Sequence, residues 1–399
     1  MSRTRVLHVG RVLGAAEPVE GPGWIAVEDD LIVAIGTGAA PSGDALSFPS
    51  LTAVPGFVDM HSHGGAGHHY AEGAEPARIA AAMHLARGTT TTVASLVSAS
   101  ESDLAEQSRA LQPLVADGTL AGIHLEGPWI SPHHHGAHDK HMLTTPDSSQ
   151  VTRLADLGSI VMVTLAPELP GAMSAVRQLV AAGIIVAVGH TAASDALTHE
   201  AIDAGATVAT HLFNAMPGMH HRDPGPVAAL LADARVTVEV IADMEHLHPD
   251  VVRVIRTAAG PDRVALVTDA MAAAGAGDGD YRLGSLDITV IDGIARVADK
   301  GNLAGSTLTL DRAVRGAVLR AGWPLEDAIR AATANPARTL GLSDRGVIVP
   351  GRRADVVLLD DDLHVRGVMR HGDWVAEPNQ RPGADREGNA ILQADEGGR

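Results

Sequence analysis

The 399-residue chain contains no cysteine. This excludes disulfides, thiolate nucleophiles, zinc knuckles and iron–sulfur ligation, and leaves histidine and carboxylates to hold any metal. Aromatic residues make up only 2%, too few for the stacking platforms that bind single strands or sugars. Lysine occurs twice, at Lys140 and Lys300. No apolar run reaches the roughly 18 residues that span a bilayer. The opening Met1-Ser2-Arg3-Thr4-Arg5 lacks a secretory apolar core, so a cytoplasmic protein is expected. Positive charge is in deficit: Lys+Arg 30 against Asp+Glu 48 gives −18. Such a balance disfavours nucleic-acid backbones, and any anionic substrate has to be captured by local groups against the global field. Neither a nucleic-acid nor a membrane partner is expected.

Histidine, by contrast, is plentiful and clustered. Of 21 histidines, all but His8, His364 and His371 lie between His61 and His248. Hydrophobic residues are 45% and charged residues 20%, a globular composition. The length fits two or three domains, or one large barrel with an appendage.

Short apolar segments punctuated by Gly and Pro open the chain, at Val6-Leu7-His8-Val9, Trp24-Ile25-Ala26-Val27 and Leu31-Ile32-Val33-Ala34-Ile35. They read as small antiparallel strands. The pattern returns at residues 354–360 and 364–369, so both ends are expected to pair into one small β-domain. Between them, apolar runs alternate with Ala-rich helix-length stretches. Strands are predicted at residues 54–61, 89–95, 121–126, 160–166, 184–190, 206–211, 236–243 and 264–269. Helices are predicted at 75–87, 171–182, 194–204 and 249–259, among others. Near-continuous apolar strands alternating with helices indicate a parallel sheet covered on both faces. Eight such units fit an α/β protein with a (β/α)8 TIM-type barrel; a doubly wound open sheet is the alternative. The expected division is a small β-sandwich from 1–53 plus 346–380, a barrel from 54–345, and a frayed polar tail from 381–399.

In such a barrel the chemistry sits at the carboxyl ends of the strands. Five predicted strands end in ligand or acid–base groups: Asp59-Met60-His61-Ser62-His63, His124-Leu125-Glu126, Gly189-His190-Thr191, Thr210-His211-Leu212 and Thr268-Asp269-Ala270. Side chains alternate along a strand, so Asp59, His61 and His63 share one face. If that face is the lumen, two imidazoles converge there. Glu126 can reach the same centre and bridge to a second ion, which His190 and His211 can hold. Neither lysine ends a predicted strand, which argues against a carboxylated lysine as the bridge. His133-His134-His135 is open to two readings, surface run or functional loop.

These residues carry a likeness. Pro55-Gly56-Phe57-Val58-Asp59-Met60-His61-Ser62-His63-Gly64 resembles the opening metal motif of the amidohydrolase superfamily. His124-Leu125-Glu126-Gly127-Pro128, Gly136-Ala137-His138, Gly189-His190-Thr191, His211-Leu212-Phe213-Asn214-Ala215-Met216, Thr268-Asp269-Ala270-Met271 and Asn302-Leu303-Ala304-Gly305-Ser306 resemble the N-acetylglucosamine-6-phosphate deacetylase family. The likeness extends from about residue 5 to 375. It implies a barrel plus a β-sandwich, and hydrolysis of the acetamide of N-acetylglucosamine 6-phosphate to the amine and acetate in amino-sugar catabolism. It implies one or two divalent ions per subunit, zinc foremost with iron, manganese or cobalt as alternatives. Glu126, His190 and His211 would hold one ion, with His61 and His63 retained for a second. Asp269 would be the acid–base residue. Ala137, His138, Asn214, Ala215, Arg222, His246, Leu303, Ala304 and Gly305 would contact the substrate. A homodimer is implied, with Arg222 acting on the phosphate across its interface.

One position departs from the family. Its usual Asp-Gly-x-His reads Asp243-Met244-Glu245-His246 here, so Met244 is expected to disturb His246 or alter sugar preference, unless the loop tolerates it. The competing functional expectations are another amidohydrolase, acting on a related N-acyl amino sugar or a cyclic amide, and a non-catalytic metal-sequestering protein.

Overall fold

The computed structural model describes residues 4–15, 19 and 21–378; the tail expected from residue 381 lies outside the described residues. The chain divides into two compact units, Met1–Gly56 with Val347–Arg399, and Phe57–Gly346. The strands are β1 (Arg5–Val12), β2 (Gly23–Glu28), β3 (Leu31–Thr37), β4 (Asp44–Pro55), β5 (Phe57–Ser62) and β6 (Thr89–Val97). Then follow β7 (Gly122–Glu126), β8 (Ile160–Leu165), β9 (Ile185–Val188), β10 (Val208–Ala209), β11 (Thr237–Ile241) and β12 (Val264–Val267). Apart from a two-residue pair at Gly64–Gly65 and His68–His69, the others are β13 (Gly279–Leu283), β14 (Leu286–Ile291), β15 (Ile294–Val297), β16 (Val356–Leu359), β17 (Val365–Arg370) and β18 (Asp373–Ala376).

The smaller unit is one seven-stranded sheet in the order β18-β17-β16-β4-β1-β2-β3. The strands expected to be antiparallel form a mixed sheet, because the chain crosses over the β2–β3 hairpin and returns as β4 parallel to β1. The β3 edge bends back onto the segment before β16: Ile32 N donates to Arg352 O (2.8 Å) and Ala354 N to Asp30 O (2.7 Å). The curled sheet thereby encloses one apolar core that includes Leu7, Ile25, Phe48, Val356 and Met369.

The larger unit carries the barrel, with all eight parallel strands in sequence order from β5 to β12. Their burial is nearly complete, as expected of a sheet covered by helices. Helix starts follow from local chemistry. Ser100 and Ser194 cap the helices Glu101–Ala116 and Asp195–Asp203 through the backbone N–H groups of Asp103 and Leu197. Pro249 opens the helix Pro249–Ala259, and Gly260 at φ 76° ends it. Closure between β5 and β12 uses polar groups within β5 and just beyond the ends of both strands. Asp269 N donates to His61 O (2.9 Å) and His63 N to Ala270 O (2.7 Å). Thr268 Oγ1 donates to Asp59 Oδ2 (2.6 Å). A three-stranded antiparallel flap, β13–β15, follows the last barrel strand.

Candidate active site

The strand ends deliver the predicted polar residues to one place. His61, His63, Glu126, His138, His190, His211 and Asp269 are all buried. His190, His211 and Asp269 sit at positive φ of 48°, 25° and 49°, a region that costs a non-glycine residue roughly 1–2 kcal/mol. These left-handed turns end the ladders early: the strand expected through His211 is paired only at Val208–Ala209. Strained backbone of this kind collects where the surrounding structure must hold a side chain in one direction.

Glu126 is the hub. Its Oε1 lies 3.0 Å from the Nε2 atoms of both His190 and His211, and its Oε2 lies 3.2 Å from those of His63 and His138. Asp269 Oδ1 lies 3.2 Å from His63 Nε2 and 3.5 Å from His61 Nε2. The ligand atoms of His61, His63 and Asp269 fall within 4.8 Å of one another, and so do those of Glu126, His138 and His190. That second grouping contains His138 where the sequence points to His211, and proximity alone does not choose between them.

Hydrogen bonds to the other ring nitrogen set His138 apart from His190 and His61. His190 Nδ1 donates to His134 O (2.9 Å), which leaves a lone pair on Nε2. His61 Nδ1 faces the Glu239 carboxylate at 3.0 Å, with the same consequence. His138 is the reverse case: its Nδ1 accepts from Ser98 N (3.2 Å), which places the ring proton on Nε2. His138 therefore presents a donor to the centre, whereas His61 and His190 present acceptors. His211 lies 3.1 Å from His190 Nε2 through its own Nε2. Imidazole nitrogens facing one another at 3.1–3.2 Å around a buried carboxylate form a donor set that fits a divalent ion of the His/carboxylate type.

Electrostatics follow from this crowding. Burial opposes protonation of His63, but Asp269 and Glu126 outweigh it and lift its imidazole to about 9. For His138 burial prevails over Glu126, and its value falls to about 4, so the ring is neutral. Burial pushes Glu126 and Asp269 up, yet the surrounding imidazoles overcome it and hold both carboxyls well below the usual range. Asp59 does not join the imidazoles; burial raises it to about 7, and it bonds to Thr268 where the barrel closes.

The other predicted residues form the surroundings. His246 Nδ1 lies 2.6 Å from Asp243 Oδ2, and its backbone N–H donates to Asp243 Oδ1 (2.9 Å). Asp243, His246, Leu303 and Gly305 line a small cavity of about 110 Å3, and Ala304 is buried beside it. At Gly305, φ is 58° and an added Cβ would stand 2.8 Å from Asp269 O. Asn214 Nδ2 donates to His211 O (3.1 Å). A Cβ on Gly136, which precedes Ala137, would lie 3.7 Å from Ala215 Cβ. Arg222 lies in the exposed stretch 218–223 and is not drawn into the cluster. Of the histidine run, His134 offers its carbonyl to His190, and His135 Nδ1 donates to His138 O (2.9 Å).

Two residues escaped the sequence reading. Glu239, fully buried in β11, touches His61 Nδ1 and accepts from His211 N (3.1 Å), so one carboxylate braces the ring of His61 and the backbone of His211. The signal was present in Val236-Thr237-Val238-Glu239-Val240-Ile241, where a lone acid interrupts an apolar strand. Ser98, at the end of β6, sets the ring of His138 through its N–H, with its Oγ a further 2.9 Å partner.

The sequence matches the amidohydrolase family over residues 52–375. It is 38% identical over 326 residues to the N-acetylgalactosamine-6-phosphate deacetylase of Escherichia coli O157:H7, covering 80% of this chain and 86% of that protein. It is 34% identical to the N-acetylglucosamine-6-phosphate deacetylase of Lysinibacillus sphaericus, covering 80% and 84%. Among solved structures, a mutant N-acetyl-D-glucosamine-6-phosphate deacetylase from Mycobacterium smegmatis in complex with N-acetyl-D-glucosamine-6-phosphate superposes with a TM-score of 0.91. That pair shares 47% identity over 94% of this chain and all of the other. The Thermotoga maritima N-acetylglucosamine-6-phosphate deacetylase gives a TM-score of 0.85 at 30% identity, over 92% and 99%.

Proposed function

The chain belongs to the amidohydrolase family, among its N-acetylglucosamine-6-phosphate deacetylases, and from that membership we propose how its own residues carry out the reaction. It hydrolyses the acetamide of N-acetylglucosamine 6-phosphate to glucosamine 6-phosphate and acetate. The observation that carries the reading is the set of imidazole nitrogens gathered on Glu126, with the Asp269 carboxylate and the His138 N–H beside them.

Glu126, His190 and His211 would hold one divalent ion, and His61 and His63, with Asp269 near, would hold a second where two are bound. Such an ion supplies Lewis-acid polarisation and makes water acidic near neutral pH. Zinc is our first choice, and iron, manganese and cobalt suit the same donors. His138, neutral and with its proton on Nε2, donates to the carbonyl oxygen as negative charge develops there. Asp269 takes the proton of the attacking water and returns it to the leaving nitrogen. Ala137, Asn214, Ala215, His246, Leu303, Ala304 and Gly305 bind the sugar, and Arg222 the phosphate, across a homodimer interface. The absence of cysteine suits a reducing cytoplasm, and no helix among the described residues is long and apolar enough to cross a membrane.

Acetate release is the test, measured on metal-loaded protein with the gluco and galacto acetamido 6-phosphates and unphosphorylated N-acetylglucosamine. Turnover of a 6-phosphate, abolished by chelation and weak without the phosphate, is expected. Turnover no higher than that of the chelated protein would refute the reading.

A further inference from the structure

A cavity of about 450 Å3 adjoins the imidazole cluster, and none of the sugar- or phosphate-binding residues named above lines it. Its deep end is His63, Ser95 and Ser98, all buried; Val97, Met142 and Leu283 form part of its wall. Glu72 and Arg282, both well exposed, stand at its mouth. An amide carbon has three substituents, and the site assigns a direction to two. The His138 N–H marks the oxygen. Asp269, with Gly305 against its carbonyl and the His246 cavity next to it, marks the nitrogen and its sugar. The remaining direction belongs to the acyl carbon. Ser98 holds the far nitrogen of His138, and His63 lies 3.2 Å from Asp269. The floor of the cavity therefore borders both assigned directions and is the open space left for the third. An acetyl methyl fills little of it, since a water-sized group takes roughly 30 Å3.

We propose that this cavity is an acyl-chain subsite and that the substrate class extends to amino-sugar phosphates with longer straight N-acyl chains, propanoyl and butanoyl. The proposal rests on the amide-hydrolase reading above. The reaction is unchanged: water adds across the C–N bond, the acyl carbon gains its oxygen and leaves as the carboxylic acid, and the nitrogen takes the proton. The added methylenes lie against Val97, Met142 and Leu283, short of the polar mouth. Burial of each is worth at most about fourfold in affinity, enough to offset part of the ordering of a longer chain.

The experiment compares kcat/KM for N-acetyl-, N-propanoyl- and N-butanoyl-glucosamine 6-phosphate on metal-loaded wild type, Leu283→Trp, Val97→Phe and Leu283→Ala. Ratios are taken within each preparation, so loss of folded fraction cancels. The expected wild-type butanoyl-to-acetyl ratio is at least one-tenth. Each filling substitution should cut that ratio tenfold or more, and Leu283→Ala should preserve or raise it. A smaller wild-type ratio, or filling variants that leave the ratio unchanged, overturns the subsite while acetyl turnover leaves the deacetylase reading standing. Absence of turnover on all three substrates in wild type overturns both.

Discussion

At the scale of single residues, the site is organised by which ring nitrogen carries the proton. Two histidines 3.2 Å or less from the same carboxylate play opposite parts because His190 leans on a carbonyl and His138 on an N–H. In the proposed mechanism Asp269 accepts the proton, and its substitution by asparagine keeps the shape while removing that acceptor. Asp269→Asn should lower kcat about a thousandfold, within the usual range for general acid–base groups, while the ion at Glu126 stays bound. Metal content per subunit, measured beside turnover, separates this from a plain ligand: a few-fold loss with full metal sinks the assignment. Glu239 works through its neighbours. Glu239→Gln retains the volume but loses the charge that fixes His61, and affinity at the His61–His63 position should fall roughly 10–100-fold. Metal titration against the unchanged melting temperature of the metal-free protein reads this directly; equal affinities would make Glu239 a mere filler. His61, His63, Glu126, His190, His211 and Asp269 were singled out because each stands at or next to a strand end, where side-chain chemistry concentrates, whereas His138, in the loop after β7, was named only through the family resemblance. Glu239 and Ser98 were not picked out, because bracing residues carry no motif and show only once the rings they hold are in place.

At the scale of elements, the β/α alternation was legible almost throughout: predicted strands and helices recur within a few residues of their expected ends. Two of the shortened strands share a cause. Where a functional residue takes a left-handed conformation, as at His190 and His211, pairing stops before the apolar pattern does. The loop after β11 is the instructive case. Met244 adopts φ 69°, the conformation a glycine would favour. Its Cε lies against Gly316, where a Cβ would stand 3.2 Å away and also 2.4 Å from Ala242 O. Gly316 begins the π-helical turn Gly316–Arg320. The thioether thus finds room at a glycine on a neighbouring helix, while Asp243 still grips His246. With methionine in place the contact between Asp243 and His246 is made, and of the outcomes open from the sequence, tolerance is the one we expect. Met244→Gly should change stability by no more than about 1 kcal/mol, since relief of strain and lost packing oppose one another. It should also leave the ratio of kcat/KM on the gluco and galacto 6-phosphates within twofold of wild type. A shift beyond fivefold would show that the methionine takes part in choosing the sugar.

At the scale of the whole molecule, net charge and site chemistry pull in opposite directions. A chain of −18 repels a sugar phosphate until short-range groups take over, because screening confines the field to about 8–10 Å at physiological salt. Composition made that conflict legible, but not its resolution, since the described site holds the sugar-binding candidates near the cluster and leaves Arg222 exposed in its loop. An exposed arginine in that loop suits a phosphate arriving from a second subunit, through the planar fork that matches its oxygens. A charged hydrogen bond of this kind is worth about 1.5–3 kcal/mol, so Arg222→Ala should raise KM for the 6-phosphate about tenfold or more. The phosphate is remote from the scissile bond and is held alike in ground and transition states, so kcat should change little. Unphosphorylated N-acetylglucosamine should not notice the substitution, and an equal effect on both substrates would remove Arg222 from phosphate recognition. Mixed dimers give the decisive form. When Arg222→Ala subunits are combined with Asp269→Asn subunits, an arginine acting across the interface restores low KM to the one site that keeps its aspartate. An arginine acting within its own subunit leaves that site impaired, and the mixture then shows only the high KM of the Arg222→Ala protein.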